Sequence, residues 1–388
     1  MPQIVEFFFW TGVTILTYTY FGYFLLVLFL SGTKKRPLQQ DSSSSDLPAV
    51  TVLIAAFNEE RYITQKIENT LSLDYPSDLL QVLVVTDGST DNTVNLVTKF
   101  PQIRRYHEPE RKGKIHAVNR VMPFVTTPVT IFTDANAMLN SASIKKIVRH
   151  YADPNVGGVA GEKRIASKSA DDASGSGEGL YWTYESVLKK ADSKLSSVIG
   201  AAGELFSIRT ELYETPPADT LIEDFFLSMK IVSKGYRFVY EPDAYALESA
   251  SATIRDEWKR KVRISAGGLQ AIGRLKYLLN PIRFGVISFQ FISHRVLRWT
   301  LAPLSLVIVF VTNLALYNTS LLFKVSFLLQ CAFYTIAIAG HFFRNKKIPL
   351  KGFFVPYYFS MMNFSVFAGF IRLIRGKQSV VWEKAERA

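Results

Sequence analysis

"VTIFTDANAML" (Val129 to Leu139) is the stretch on which the fold turns. A β-branched, apolar run stops abruptly at Asp134, Ala135 and Asn136. A short apolar run of this kind reads as a strand covered on both faces. Two earlier runs share the shape: "AVTVLIAAF", ending at Phe57, and "LQVLVVTDGS", beginning at Leu80. Between them, Glu59 to Leu73 has helical spacing in Ile63, Ile67 and Leu71. Alternating strand and helix predicts an open, twisted α/β sheet. Ligands of such sheets bind beyond the carboxyl ends of the strands. The three ends read "AFNEE", "TDGSTDNT" and "TDANAM". Any one of them is also what a turn looks like. Three in succession, all polar and acidic, predict a single converging site.

The rest of the chain is less soluble. Of 388 residues, 48% are hydrophobic. Phe7 to Gly32 carries no charge, and Trp299 to Tyr317, Leu321 to Phe343 and Gly352 to Ile371 are long apolar runs with Lys324 as their one lysine. A membrane span needs about 20 such residues. The first run reads as an anchor rather than a signal peptide, being too long and lacking a basic leader and an Ala-x-Ala site. "TKKRP" (Thr33 to Pro37) follows it and predicts a cytoplasmic location from residue 33 onward. The net charge of +12 suits an anionic leaflet. Nucleic acid is not an expected partner, because the basic residues do not interleave with aromatics. One cysteine, Cys331, excludes an internal disulfide.

Six segments follow: an anchor (1–32), a polar Ser-rich linker (33–48), an α/β domain (49–275), an interfacial amphipathic helix (281–298), a C-terminal membrane region (299–375) and a basic tail (376–388). "SGSGEG" (Ser174 to Gly179) follows no strand and reads as a flexible loop, not a phosphate cradle. The basic flanks of Gly352 to Ile371 leave its topology open between a span and a kinked, re-entrant segment at Pro356.

Taken in order over about residues 49–270, these motifs resemble the family 2 glycosyltransferases of GT-A fold, and the flanking spans resemble its polysaccharide synthase-like branch. The resemblance implies that "IAAFNEE" (Ala55, Phe57, Asn58, Glu59) holds a nucleotide base and that Asp87, in the loop with Gly88 and Ser89, contacts a uridine. It puts Lys114, Ala117 and Asn119 of "KGKIHAVN" beside the nucleotide. It places "TDANAM" at the Asp-x-Asp position and makes Asp224 of "LIEDFFLSMKIVSKGYRFVYEP" the general base of an inverting transfer from a UDP-sugar.

The chemistry agrees independently. A departing nucleoside diphosphate needs a hard cation, Mg²⁺ or Mn²⁺, with oxygen ligands. Asp134 supplies a carboxylate and Asn136 a carbonyl oxygen. The family usually has a second carboxylate where Asn136 stands, so a weaker metal site is expected. An attacking hydroxyl needs a base. Thr220 and Glu223 have the spacing of a capping box, which puts Asp224 in the first turn of a helix. There the helix dipole lowers its pKa, and burial must offset this. Arg260 and Arg263 of "KRKVRISAGG" suit a diphosphate, although Arg260 also fits a lipid-gripping patch. This segment lacks the Gln and Trp of the Gln-x-x-Arg-Trp motif of polymer-forming members, which argues against processive synthesis. Glu204, Glu223 and Trp182 are acceptor-side candidates, with Tyr184 beside Trp182.

The leading expectation is a membrane-bound hexosyltransferase of a bacterial inner membrane, acting on a lipid or exopolysaccharide acceptor. Membrane lipids, and export or polymerisation proteins, are its expected partners. A processive synthase and a nucleotide-sugar-binding subunit without turnover remain as alternatives. Asn136 motivates the last.

Overall fold

The structure is a computed structural model and describes residues 2–34, 47–166, 173–249, 254–343, 354–376 and 381. Most of the predicted linker, Lys35 to Pro37 of "TKKRP", the "RNKK" segment (344–347) and most of the basic tail lie outside the described residues.

Helix α1 (Pro2–Thr17) passes through one π turn into α2 (Tyr23–Gly32), making 31 continuous residues long and apolar enough to cross a membrane. Phe7, Phe8, Phe21 and Phe29 project outward from it. An exposed aromatic stripe of this length needs lipid rather than water around it.

The chain then alternates: β1 (Val50–Ala56), α3 (Ile63–Leu71), β2 (Leu80–Asp87), α4 (Thr93–Thr98), β3 (Arg104–Glu108), α5 (Lys114–Val121), β4 (Val129–Asp134), β5 (Met138–Leu139), α6 (Ser143–Val148), β6 (Val156–Ala166), α7 (Ala173–Leu195), β7 (Leu205–Arg209), α8 (Glu223–Ser233), β8 (Arg237–Ser249) and α9 (Ile254–Arg274). One eight-stranded sheet runs β3-β2-β1-β4-β7-β6-β8-β5. Its first four strands are parallel; β7 is antiparallel to both β4 and β6. The sheet is therefore mixed, and β5 to β8 complete the half that strand-end motifs did not reveal.

Side-chain alternation explains the layering. Val50, Val52, Ile54 and Ala56 of β1 point into one core, and Leu53 points into the other. Burying each large aliphatic contributes about 1.5–3 kcal/mol. Register then positions the site. Ala55 of β1 pairs with Asp134 of β4, and Ala56 of β1 pairs with Thr86 of β2. Strand order reverses between β1 and β4, so a crevice opens where these ends meet.

After α9 come α10 (Pro281–Phe284), α11 (Val286–Phe291), α12 (Leu297–Trp299), α13 (Leu301–Leu316), α14 (Leu321–Phe343) and α15 (Phe354–Ile374). Among the described residues, α14 is the second helix that could cross a membrane by length and composition. The 16-residue α13 reaches that length only with the helical turns before it, from which it bends by 51°. Segment 281–298 is not one helix, since Gly285 adopts φ +49 between α10 and α11. Its Phe291 and His294 are buried, and His294 Nδ1 meets Asp192 Oδ2 of α7 at 2.6 Å.

Two local expectations need correction. "SGSGEG" is the N-terminal part of α7, not a loop. A helical glycine costs only about 1 kcal/mol against alanine, and the long turn series from Leu180 to Leu195 carries it. The capping box does not form either. Helix α8 begins at Glu223 without a side-chain cap, and Thr220 Oγ1 donates instead to the Pro217 carbonyl at 2.6 Å.

Candidate active site

A cavity of about 1240 Å³ opens at the carboxyl ends of β1, β2 and β4. It collects Ala55, Phe57, Glu59, Asp87, Lys114, Asp134, Asn136, Glu204, Glu223, Asp224, Arg260, Arg263 and Trp182 on one wall system. Asn58, Gly88, Ser89 and Asn119 do not line it. Their contacts explain why. The Asn58 side-chain oxygen accepts from Thr90 N at 2.7 Å, and Asn58 N donates to Ser89 Oγ at 3.1 Å, so these residues clamp two strand-end loops together. Asn119 donates to the Pro216 carbonyl at 3.2 Å and accepts from the Tyr213 hydroxyl. Gly88 has φ +63, and a Cβ there would lie 2.6 Å from Arg111 N. Only glycine fits that approach.

Asp87 is buried, and its two oxygens accept from Lys112 N at 3.1 Å and Gly113 N at 2.7 Å. It fixes the turn that starts α5. That turn brings Arg111 over the Phe57 ring at 3.5 Å, a stacked cation on the cavity wall. The sequence reading missed Arg111, whose signal was the basic run "ERKGK".

Lys114, first residue of α5, is the hub. Its Nζ lies 2.7 Å from Asp134 Oδ1 and 2.9 Å from Glu223 Oε1. Burial opposes its charge, but the two carboxylates outweigh burial and raise its pKa. Glu223 is held below the usual carboxylate range: burial pushes it up, and Lys114 more than reverses this. Asp224 behaves oppositely. Burial first, then the Glu223 charge beside it, push it up to about 7, against the pull of Lys114. The N-terminal turn of α8 lowers it too little to compensate. Gly203 leaves the space before it open, since a Cβ there would sit 3.4 Å from Asp224 Oδ2.

Asp134 is raised by burial, with Lys114 opposing. Behind it, Lys66 of α3 donates to Thr133 Oγ1 at 3.0 Å and to the Ala137 carbonyl, pinning the "DAN" turn. Lys66 was legible only as a lysine on an apolar helical face. Asn136 Nδ2 donates to Glu248 Oε1 at 2.9 Å, and Glu248 Oε2 takes Lys163. The amide is thereby oriented, with its carbonyl oxygen left over. One half-buried carboxylate and one oriented amide oxygen are hard donors, and they fit a divalent cation that a diphosphate would share. No cluster of three or more His, Cys, Asp or Glu exists among the described residues.

Glu204 accepts from Lys163, with Arg260 Nη1 at 3.9 Å. Burial raises its pKa, and these cations lower it further than burial raises it. Trp182 stands among ammonium groups, with Lys163 Nζ at 5.4 Å, Lys189 Nζ at 5.5 Å and Lys261 Nζ at 5.9 Å from its ring.

The crevice has an Arg111–Phe57 stack at one end and the raised Asp224 carboxyl in the same cavity. Residues 51–215 match the family model Glycosyl transferase family 2, and the chain carries a domain of that family. In fold it is similar to mannosyltransferase PcManGT from Pyrobaculum calidifontis, solved with GDP-Man and Mn²⁺: TM-score 0.71, 23% identity, 97% of this chain and 100% of the other covered. The fold is GT-A. In sequence the chain is 26% identical over 244 residues to poly-beta-1,6-N-acetyl-D-glucosamine synthase of Staphylococcus aureus, and 24% identical over 249 residues to that of Staphylococcus epidermidis. The matches cover 60% and 62% of this chain. They span 58% and 59% of those relatives, under two thirds of their length.

Proposed function

We propose that the protein is a membrane-bound, inverting glycosyltransferase that moves a hexose from a nucleotide sugar, a UDP-sugar in the first instance, to a lipid or exopolysaccharide acceptor. One observation carries this reading: Asp224, pushed up to about 7, faces the same cavity as the Lys114–Asp134 pair and the Arg111–Phe57 stack. The acceptor hydroxyl gives its proton to Asp224 Oδ2 as it attacks the anomeric carbon, and a base with a pKa near ambient pH suits that transfer. Lys114, Arg260 and Arg263 lie along the cavity where a diphosphate leaving group would carry its charge. Asp134 and Asn136 would hold Mg²⁺ or Mn²⁺, which supplies further charge neutralisation at the diphosphate. Phe57 and Arg111 offer the base a stacking face, and Glu59 lines the same end.

The two apolar helices support insertion in a membrane, with the α/β domain on the cytoplasmic side of a bacterial inner membrane. The synthase names of the curated relatives favour, as a second reading, transfer of N-acetylglucosamine into a polymer. Val262 and Ile264 flank Arg263, so α9 offers no tryptophan platform next to that arginine for a growing chain. Release of UDP or GDP from a panel containing UDP-GlcNAc, UDP-Glc, UDP-Gal and GDP-Man, with and without Mn²⁺, tests the activity and names the donor. Binding of a donor without release under any acceptor condition would mark a binding subunit instead.

A further inference from the structure

The cavity does not stop at Asp224. It runs past Trp182 to an apolar wall: Leu16 and Phe21 on the N-terminal side, Leu306 of α13, Phe359 and Val366 of α15. At about 1240 Å³ it exceeds the roughly 300–1,000 Å³ of a site for one small molecule. There is room beside a nucleotide sugar. Among the described residues, eleven basic and eight acidic side chains line it, an excess of positive charge.

Most cations around Trp182 are answered by carboxylates. Lys163 pairs with Glu204 and Glu248, Lys261 with Glu257 at 3.4 Å, and Arg298 and Arg295 with Glu185. Lys189 differs. Its side chain is 4% exposed and lines the cavity, yet among the described residues its ammonium has no ion-pair or hydrogen-bond partner. It sits over ring faces, Trp182 at 5.5 Å and Tyr240 at 5.8 Å, while the Glu185 and Glu162 charges act on it without bonding to it. Glu185, one turn earlier on α7, is already held by two arginines. Glu162 accepts from Ser186 Oγ at 3.0 Å. Burial lowers the pKa of Lys189. A buried ammonium left this way is a place for an anion that arrives with a ligand.

The position fixes what kind of ligand. On one side, Trp182 reaches the reacting end through Lys163 and Glu204, next to Gly203 and Asp224. On the other, Lys261 lies over Tyr181 at 5.1 Å and over Tyr358 of α15 at 5.4 Å, against the apolar wall. We infer that Lys189 binds the phosphate of a lipid-linked acceptor, whose hydrocarbon chain lies along that apolar wall and whose sugar, on Trp182, presents its hydroxyl to Asp224. This rests on the transferase reading and narrows its acceptor to a phosphate-bearing glycolipid.

The test uses the full chain in phosphatidylcholine vesicles, with tryptophan fluorescence and melting temperature as readouts. The probes are a long-chain polyprenyl phosphate, the matching uncharged polyprenol, inorganic phosphate and phosphatidylglycerol. Polyprenyl phosphate saturates one site; Lys189→Met weakens it about tenfold or more, and Lys189→Arg restores most of the affinity. Lys189→Met melts at or above the wild-type temperature, because it removes a buried charge for which burial outweighs the Glu185 and Glu162 charges. Equal binding of the polyprenol, or no change in Lys189→Met, overturns the subsite. Equal affinity for inorganic phosphate overturns the lipid assignment, and equal competition by phosphatidylglycerol reduces the effect to surface partition. Nucleotide-sugar binding in the same vesicles is the separate readout. Donor binding without Lys189-dependent lipid binding removes the subsite alone; lipid binding without donor binding keeps the subsite and removes the transferase reading.

Discussion

Glu223 and Asp224 are consecutive residues whose carboxyls are driven apart. Lys114, 2.9 Å from Glu223 Oε1, holds Glu223 ionised, and that charge together with burial pushes Asp224 up to about 7. Two neighbouring acids with separated pKa values divide the labour: one anchors the lysine hub, the other is free to take a proton.

The pH profile follows. Below about pH 7, Asp224 is protonated in the free protein and cannot act as a base; above it, the carboxylate is available. The log of kcat/KM therefore rises with pH and levels off above about 7. In Glu223→Gln the repelling charge is gone and Lys114 is freed to favour the Asp224 anion. The ascending limb then moves to lower pH by on the order of one unit. A limb that stays in place, measured over pH 5–9 at saturating cation, assigns it to another group.

Asp134→Ala removes the carboxylate of the proposed metal site and one partner of Lys114. Titration of a nucleotide sugar in the presence and absence of Mn²⁺ gives Mn²⁺-dependent binding for the wild type and loses that dependence in the variant. The loss in affinity is about tenfold or more, as for a charge-assisted contact. An unchanged Mn²⁺ response places the cation elsewhere.

Gly88→Ala meets two penalties at once: φ +63, and a Cβ 2.6 Å from the backbone nitrogen of Arg111. The cost is about 1–3 kcal/mol of stability, seen as a lowered melting temperature of the α/β domain. Gly235→Ala shares the positive φ but meets no atom within 4 Å, and it costs less.

The strand-end half of this cavity was readable in the sequence because parallel strands write it at their ends. Asp87, Asp134 and the Phe57 loop each terminate an apolar run, and register then aligns them. The rest depends on contacts between elements distant in the chain. Asn58 and Ser89 read as nucleotide contacts, and nothing in the sequence shows that their loops are bonded to one another. Lys66 and Lys189 gain meaning only from what packs around them. The α7 glycines read as a loop because local propensity is a weak signal beside a long helix. The absent cap at Thr220 has the same lesson: spacing permits a capping box, but Pro217 offers its carbonyl first.

The central claim is that Asp224 takes the acceptor's proton in a sugar transfer. Nucleoside diphosphate release from membranes containing wild type or Asp224→Asn, with Mn²⁺ and each donor in turn, tests it most directly. The account predicts release from one donor by the wild type, loss of about a hundredfold or more in Asp224→Asn, and donor binding retained by both. Near-normal release by Asp224→Asn would contradict it.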